Sequence, residues 1–399
     1  MINRPDYIAA IGPFIDKPLV KILAGIRRCG KSTIFEMLRE ELLRRGIGED
    51  QIVCKRYTEM DIPENITAKQ MYDELTAAMA GKGHCYLLLD EIQEITGWEK
   101  AVNSLLESAD ADIYVTGSNS KLMSSEISTY LTGRYVSIPV YTLSFKEYLD
   151  FKADSTLSRR ELLEEYIRFG GFPIIALSEY DEQSAYQIVN GIYHTVVSRD
   201  IVKRHRINKQ DLFDRVVKYI IENMGKTFSA NSISTFLKSE HRKVSVESIY
   251  NYLRWMEQAF IIYPCERYDL QGKSILKTQE KYYLADVSLK YALLGYNRKM
   301  LDGAMENIVY LELKRRGYDV YIGKNDTKEI DFVATRRNER IYVQVCVRIP
   351  EASDREVGNL MEIRDHYPKY VVTLNEMDTG IEDGIRIVHL ADFLFAEQW

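Results

Sequence analysis

One stretch near the amino terminus constrains this chain more than any other. It follows the pattern G-x-x-x-x-G-K-[ST] between Gly25 and Ser32. Residues 18–23 before it are mostly apolar and predict a strand, and residues 31–45 after it carry apolar side chains at helical spacing. Gly46 stands where the end of a helix favours glycine. The stretch therefore predicts a strand, a glycine-rich loop and a helix in succession, the start of an α/β fold with a parallel sheet.

The residue types in this loop are those that bind phosphate. Gly25 and Gly30 let the backbone turn so that successive N–H groups point inward at the β-phosphate, and the amino end of the following helix adds the positive end of its dipole. Lys31 is expected to bridge the β- and γ-phosphates of a nucleotide, and the Ser32 hydroxyl to bind Mg²⁺. The residues predicted to contact the nucleotide are Gly25, Ile26, Arg27, Arg28, Cys29, Gly30, Lys31, Ser32 and Thr33. A chance match is the alternative, and the flanking strand and helix argue against it.

A second motif completes the predicted site. The apolar run at residues 85–89 ends abruptly in Asp90 and Glu91. A buried parallel strand would deliver both acids to its carboxyl end, where Asp90 would bind Mg²⁺ and Glu91 would polarise the attacking water. Two solvated acids at the start of a helix are the alternative. Because the pair follows a phosphate loop, we favour the catalytic interpretation.

Two further polar groups are candidates for the same site. A predicted strand ends at Ser118 and Asn119, and we expect Asn119, or else Ser118, to contact the γ-phosphate or the attacking water. A turn stabilised by these side chains is the alternative. Arg134 is a candidate arginine finger, acting in its own subunit or in a neighbouring one. A surface arginine paired with Glu126 is the alternative for Arg134.

The order of these motifs resembles a known family. The chain contains, in this order, G-x-R-R-x-G-K-S-T, L-L-L-D-E-I-Q, T-G-S-N, G-R and L-S-F-x-E-Y-L. This order is similar to that of bacterial and archaeal AAA-type P-loop ATPases with a C-terminal domain of unknown function. The resemblance implies the sheet order 5-1-4-3-2, a catalytic glutamate, and ATP with Mg²⁺ as ligands. In that family, Arg27 and Arg28 belong to the motif itself.

Length, charge and cysteine content limit the remaining alternatives. A chain of 399 residues predicts two to four domains. The net charge of −6 argues against a protein that coats nucleic acid, although it allows a local basic face. The five cysteines form no C-x-x-C pair, which favours reduced thiols. With neither a signal peptide nor a membrane segment in the sequence, we expect a soluble cytoplasmic protein, and an oligomer is left open.

The remaining chain predicts three further domains after an ATPase core at residues 1–152. Residues 153–208 predict a helical lid with a G-G-F-P turn, and its basic end around Arg199 either complements a helix dipole or contacts nucleotide or nucleic acid. Residues 209–284 predict three helices and a two-stranded ribbon, as in a winged helix. Its third helix would offer Tyr250 and Arg254 to DNA or to a partner protein. The basic residues before that helix are Lys238, His241, Arg242 and Lys243.

Residues 285–399 predict the helix and strand order of a restriction-endonuclease-like domain. Glu306 and Asp331 fit the first two acidic positions of such a site, but Gln344 and Cys346 replace the acid and lysine of its E-x-K motif. The domain is therefore predicted to be a degenerate, non-catalytic one, because metal and phosphate would lack essential partners. An active nuclease would need another acid, for which Glu329 and Glu351 are the candidates.

The predicted function is ATP hydrolysis that moves the winged-helix and nuclease-like region. A nucleotide-dependent switch that holds DNA or a partner protein with negligible turnover is the first alternative. A metal-dependent nuclease is the second.

Overall fold

The computed structural model describes residues 3–58, 66–123, 125–207, 209–239, 244–272, 274–350 and 355–399. The chain forms two compact units, Met1–Thr142 with Gln258–Phe260, and Leu143–Glu257 with Ile261–Trp399. The main segment of the first unit ends at Thr142, whereas the predicted ATPase core extends to residue 152. Apart from Gln258–Phe260, the predicted lid, winged helix and nuclease-like region fall in the second unit, and their separation into three domains stays a prediction. Within the described residues, no helix has the length and apolar character needed to cross a membrane.

The first unit contains a five-stranded parallel sheet flanked by helices. Its strands are β1 (Val20–Ala24), β2 (Ile52–Arg56), β3 (Cys85–Asp90), β4 (Ala111–Gly117) and β5 (Tyr135–Pro139), and its helices are α1 (Pro5–Ile11), α2 (Lys31–Arg44), α3 (Ala68–Met79), α4 (Trp98–Ser108) and α5 (Ser125–Tyr130). The strand order is β2-β3-β4-β1-β5, which confirms the predicted order. β1 and β3 are buried along their whole length, as expected for central strands covered on both faces.

The parallel register places the predicted site at one edge of this sheet. Ala24 at the end of β1 lies opposite Gly117 at the end of β4, and Arg56 at the end of β2 lies opposite Asp90 at the end of β3. The carboxyl ends of these four strands therefore meet at the same edge, where ligands bind in open α/β sheets. Apart from Arg134, the predicted site residues lie in the loops after β1, β3 and β4, in the first turn of α2 or, for Asp90, at the end of β3.

The second unit combines helices with an eight-stranded mixed sheet. Its helices are α6 (Phe145–Phe151), α7 (Arg159–Phe169), α8 (Pro173–Ala176), α9 (Glu182–Val196), α10 (Lys203–His205), α11 (Gln210–Glu222), α12 (Ala230–Ser239), α13 (Val246–Gln258), α14 (Ser288–Leu294), α15 (Leu301–Arg315), α16 (Arg355–Met361) and α17 (Leu390–Phe395). Its strands are β6 (Ile262–Asp269), β7 (Ser274–Leu284), β8 (Asp319–Asn325), β9 (Lys328–Arg336), β10 (Glu339–Cys346), β11 (Lys369–Thr373), β12 (Gly380–Glu382) and β13 (Ile385–His389). The sheet order is β12-β13-β11-β10-β9-β8-β6-β7.

The predicted G-G-F-P turn is anchored inside the second unit. The Gly171 N–H donates to Asp286 Oδ2 at 2.8 Å, and a Cβ atom on Gly170 would lie only 1.8 Å from Asp286 Oδ1. Gly170 also has a φ of +74°, a conformation that favours glycine. α8 then starts with Pro173 at its first position. The glycine pair is thus required by close packing as well as by the turn.

Three helices, α11 to α13, precede the β6–β7 hairpin, in the order predicted for residues 209–284. The predicted ribbon strands at residues 260–263 and 281–284 were too short, because the hairpin continues as far as Asp269 and Ser274 and pairs with β8. The hairpin is therefore part of the eight-stranded sheet. The predicted basic residues His241, Arg242 and Lys243 lie outside the described residues.

The C-terminal elements follow the predicted order, with α15, β8, β9, β10, α16 and β11 in succession. β8, β9 and β10 are antiparallel neighbours, whereas β10 and β11 are parallel. β12, β13 and α17 extend the unit beyond the elements that the sequence predicted. The long predicted helix at residues 184–204 consists of α9, a π-helical segment at Val197–Val202 and α10.

Candidate functional site

The phosphate loop is held close to the carboxyl ends of β4 and β5, the two strands that flank β1. The Gly25 N–H donates to Gly117 O at 3.2 Å, and a Cβ atom on Gly25 would lie 1.9 Å from Val140 O. Gly30 has a φ of +103° and directly precedes α2. Both loop glycines are therefore required by the backbone path. The loop leads into the amino end of α2, where unpaired N–H groups favour an anion.

Lys31 and Ser32 point from the first turn of α2 into the site. Lys31 Nζ donates to Gly25 O at 3.0 Å and to Ile26 O at 3.2 Å, so the ammonium lies inside the loop. The Ser32 hydroxyl donates to Asp90 Oδ2 at 2.7 Å. The predicted phosphate-binding lysine, metal-binding serine and metal-binding aspartate are thus brought together. Ser32 and Asp90 provide the oxygen donors that Mg²⁺ prefers, so these residues fit that ion.

Asp90 has two further partners that the sequence did not indicate. Thr116 donates its hydroxyl to Asp90 Oδ1, and Arg56 Nε donates to Asp90 Oδ2 at 3.1 Å. Thr116 is the second-last residue of β4 and Arg56 is the last residue of β2, and these strands lie on either side of the strand that carries Asp90. Both contacts depend on the strand order. Their only sequence signal was a polar side chain at the end of a predicted strand.

Glu91 is held in a fixed position beside the loop. Its φ is +54°, and its N–H donates to Thr116 Oγ1 at 3.1 Å. Glu91 Oε2 accepts hydrogen bonds from Ser118 Oγ at 3.2 Å and from Gln93 Nε2. The predicted base therefore has both its backbone and its carboxylate fixed by neighbouring groups. Gln93, three residues after Asp90, is a site residue that the sequence reasoning missed.

Two cations flank the Glu91 carboxylate. Lys31 Nζ lies 3.6 Å from Glu91 Oε1, and Arg27 Nη1 lies 3.7 Å from Glu91 Oε2. Burial alone would raise the pKa of the Glu91 carboxyl, but Lys31 and Arg27, with the hydrogen bonds from Gln93 and Ser118, lower that pKa below its ordinary value. Glu91 is therefore ionised at neutral pH.

A buried arginine supports the loop from behind. Arg4 Nη1 donates to Cys29 O at 2.8 Å and Nη2 donates to Tyr141 O at 3.1 Å, although only 1% of Arg4 is exposed. The guanidinium therefore ties a loop carbonyl to the segment after β5. Burial raises the pKa of the Cys29 thiol, so Cys29 packs the loop rather than reacting. Nothing in the local sequence distinguished Arg4 from a surface arginine.

Asn119 takes part in a turn, and Arg134 pairs with a different acid from the one named as its alternative partner. Asn119 Oδ1 accepts a hydrogen bond from the Lys121 N–H at 2.8 Å, which is the turn that was the alternative. The second candidate, Ser118, is the one that contacts Glu91. Arg134 Nη2 pairs with Glu107 Oε1 at 2.7 Å, whereas the side chain of the expected partner Glu126 lies outside the described residues.

The position of Arg134 in the sheet explains its separation from the loop. Arg134 precedes β5, and its carbonyl accepts a hydrogen bond from Val20 at the start of β1. The phosphate loop follows the other end of β1, about 16 Å away for a strand of five residues. The expectation that Arg134 reaches the γ-phosphate in its own subunit therefore does not agree with the fold, and an action in a neighbouring subunit stays a prediction.

The predicted acids of the C-terminal region form a second, separate cluster around a lysine. Lys281 Nζ lies 2.9 Å from Glu329 Oε1 and 3.4 Å from Glu306 Oε2, and only 5% of the Lys281 side chain is exposed. Tyr283 donates its hydroxyl to Glu306 Oε2 at 3.1 Å. Glu329, which was a candidate metal ligand, thus binds a lysine instead. Glu351, the other candidate, lies outside the described residues.

Asp331 and Gln344 are likewise satisfied by the protein. Asp331 Oδ2 accepts the Val345 N–H at 2.8 Å, and Gln344 Nε2 donates to Glu356 Oε2 at 2.9 Å. Burial raises the pKa of Asp331 and of Glu306 above their ordinary values. In the part of the chain that the structure describes, no three His, Cys, Asp or Glu side chains are arranged to hold a metal ion.

Comparisons with known proteins match two segments of the chain and also nearly its whole length. A family model described as an AAA domain matches residues 17–149, and one described as a domain of unknown function (DUF8612) matches residues 160–299. An uncharacterized protein of Haemophilus influenzae is 36% identical over 397 residues, which cover 99% of this chain and 98% of the relative. An uncharacterized protein of Methanocaldococcus jannaschii is 33% identical over 354 residues, covering 85% of this chain and 77% of that protein.

A solved structure shows the same fold. The Walker-type ATPase of Pyrococcus abyssi superposes with a TM-score of 0.53 at 15% identity, covering 73% of this chain and 96% of that one. The AAA-domain match spans the phosphate loop, Asp90 and Glu91, all at the carboxyl edge of the parallel sheet. The chain therefore carries an AAA domain at residues 17–149 and belongs to the same protein family as the Haemophilus influenzae relative.

Proposed function

We propose that this chain binds ATP with Mg²⁺ and hydrolyses ATP to ADP and phosphate. The observation that carries this proposal is the 2.7 Å hydrogen bond between Ser32 Oγ and Asp90 Oδ2, with the Glu91 carboxylate beside it. A phosphate loop that only stored nucleotide would not need an acid next to the metal-binding aspartate. Here Glu91 is held by Ser118, Gln93 and two cations.

Each residue of the site has a definite part in this reaction. The loop N–H groups and Lys31 bind the phosphates, and Ser32 and Asp90 hold Mg²⁺. When bound, Mg²⁺ neutralises charge on the phosphate oxygens. Arg56 and Thr116 keep the Asp90 carboxylate in place, so that Asp90 remains oriented toward Ser32.

Glu91 is the proposed general base. Its lowered pKa keeps the carboxylate ionised at neutral pH, so it can accept a proton from the attacking water. A base with a lowered pKa accepts protons weakly, and Glu91 therefore acts mainly by orienting and polarising that water. Its left-handed backbone conformation and its hydrogen bonds from Ser118 and Gln93 limit the positions that the carboxylate can take.

The second unit is the proposed effector. We propose that the nucleotide state moves its helical lid, winged helix and nuclease-like region, which would bind DNA or a partner protein. The helix order α11, α12, α13 followed by the β6–β7 hairpin supports the winged-helix assignment. The order α15, β8, β9, β10, α16, β11 supports the nuclease-like assignment.

A nuclease activity is disfavoured by the Lys281 cluster. The ammonium of Lys281 lies between Glu306 and Glu329, where a catalytic metal would need carboxylate oxygens. Gln344 and Cys346 supply neither an acid nor a cation. We therefore propose that the nuclease-like region binds or docks and does not cleave.

The test of the proposed function is phosphate release from ATP by the wild type beside Glu91→Gln. We expect Glu91→Gln to bind ATP normally and to turn over about 10²- to 10⁴-fold more slowly, because it loses the base alone. Lys31→Ala should lose nucleotide binding itself. Equal turnover in the wild type and Glu91→Gln would contradict the assignment of the base.

An ATP-dependent switch that binds DNA with negligible turnover is the second candidate. Tyr250, 59% exposed on α13, lies near Arg254 on the same helix and favours an interaction surface there. The discriminating experiment is a gel shift of duplex DNA with ATP at low and moderate salt, since phosphate contacts weaken steeply with salt. Absence of a shift at low salt would exclude DNA and leave a protein partner.

A further inference from the structure

We propose that Arg27 is a second cation for the terminal phosphate of ATP, and that it exchanges the Glu91 carboxylate for that phosphate. This inference rests on the proposed function and assigns a role to an arginine of the phosphate loop. It predicts that Arg27 distinguishes ATP from ADP.

The first observation is that one carboxylate bridges two cations. Glu91 Oε1 lies 3.6 Å from Lys31 Nζ, and Glu91 Oε2 lies 3.7 Å from Arg27 Nη1. A lysine at this position of a phosphate loop binds the β- and γ-phosphates. An anionic group that replaced the carboxylate beside Lys31 would therefore also lie within reach of Arg27.

The second observation is that Arg27 is suited to serve two anions. Its Nη2 lies 3.3 Å from Glu94 Oε1, while its Nη1 faces Glu91. The guanidinium carries five donors in a fixed plane, so one edge can keep an acid while another binds phosphate oxygens. Only 11% of the Arg27 side chain is exposed, so solvent screens its charge weakly. The neighbouring Arg28, in contrast, is exposed.

This exchange would change the partners of the Glu91 carboxylate. While Lys31 and Arg27 both contact Glu91, its carboxylate is engaged by cations. If both cations turn to a terminal phosphate, Glu91 keeps Ser118 and Gln93 as partners and becomes available to water. The base would then be released only when a triphosphate is present. In this proposal the second cation is Arg27, which belongs to the same chain as Lys31. Arg134 does not take this part within the chain, because it lies at the amino-terminal edge of the sheet.

The test is equilibrium binding of a non-hydrolysable fluorescent ATP analogue and of fluorescent ADP, each with Mg²⁺, to the full chain. In Arg27→Ala we expect affinity for the ATP analogue to fall about tenfold to a hundredfold, as for loss of a charge-assisted hydrogen bond. Affinity for ADP should change less than about threefold. Arg45→Ala, which removes an arginine that directly follows α2 and pairs with Glu41, is the matched control.

The possible outcomes separate this proposal from the proposed function. Equal losses for both nucleotides in Arg27→Ala, or no loss for either, would overturn the role of Arg27. Wild-type protein that binds neither nucleotide would overturn the proposed function itself. Thermal melting by circular dichroism checks folding, and Arg27→Lys serves as the second variant because it keeps the charge. Partial recovery of the ATP affinity in Arg27→Lys supports the proposal, whereas a Lys variant that loses both nucleotides equally contradicts it.

Discussion

Ser32 Oγ and Asp90 Oδ2 lie 2.7 Å apart although 58 positions separate them in the sequence. Ser32 lies on α2, which follows β1, and Asp90 lies at the end of β3. These two strands are not neighbours, because β4 lies between them. The contact exists because the phosphate loop brings the first turn of α2 to the edge where β3 ends, so that the Ser32 hydroxyl reaches the aspartate. This pair defines the expected metal position and is the most direct target for mutation.

Removing either oxygen of this pair should impair Mg²⁺ binding in the same way. We expect Ser32→Ala and Asp90→Asn each to raise the Mg²⁺ concentration needed for half-maximal ATP turnover at least about tenfold, since a hydrogen bond to a charged group is worth about 1.5–3 kcal/mol. Because the residues touch, the effects in the double variant should not add, with a coupling of about 0.5–3 kcal/mol. Mg²⁺ titrations of turnover measure this. Asp73→Asn, an exposed acid on α3, is the control, and additive effects would contradict a shared metal site.

A methyl group at Gly25 should disrupt the loop. The added Cβ atom would lie 1.9 Å from the backbone oxygen of Val140, so loop or strand must shift. We expect Gly25→Ala to lower the free energy of unfolding by about 1–3 kcal/mol and to weaken nucleotide binding. Urea denaturation and ATP binding measure the two effects. Gly12→Ala is the control because nothing lies within 4 Å of its Cβ position, and equal behaviour of the two variants would refute the close approach.

Lys281 should stabilise the second unit as a buried counter-ion. Burial acts to lower the pKa of Lys281, but the carboxylates of Glu306, Asp331 and Glu329 outweigh it and raise that pKa above its ordinary value. A raised lysine pKa contributes stability that is fully present below the ordinary pKa and is lost only as the pH rises through the raised one. At neutral pH the full effect is therefore measurable.

We expect Lys281→Met to lower the free energy of unfolding by about 3–5 kcal/mol at pH 7, because buried carboxylates lose their counter-ion. The loss should shrink toward acidic pH, since burial already raises the pKa of Glu306 and of Asp331 and both take up protons more readily. Urea denaturation at two pH values measures this. Lys328→Met, an exposed lysine on β9, is the control, and equal stability of the two variants would refute the counter-ion role.

The sequence predicted the phosphate loop, the Asp90–Glu91 pair and the sheet order because these depend on local patterns and on a family resemblance. It could not reveal Arg56 or Gln93, since their roles come from neighbouring strand ends and turn geometry. It also ranked Asn119 above Ser118, because two adjacent polar residues look alike until the backbone turn decides which side chain faces Glu91.

For the C-terminal region, the sequence predicted the elements but not their connection to the hairpin. Lys281 lies on β7, outside the predicted nuclease-like region, and pairs with Glu306 on α15 because the β6–β7 hairpin joins the sheet of that region. The sequence showed that the E-x-K position lacks a lysine. It did not show that Lys281, on a different strand, would place its ammonium beside Glu306 and Glu329.

The sequence by itself determined which residues form the phosphate-loop motif, because loop glycines, a lysine and a hydroxyl in this fixed spacing have few other uses. It also determined the parallel sheet, since apolar strands alternate with amphipathic helices. Only the tertiary structure decided that Glu91 is shared by Lys31 and Arg27, and that Arg134 lies away from the site. Distances between charges depend on strand order and register, and these arise from packing across the whole sheet.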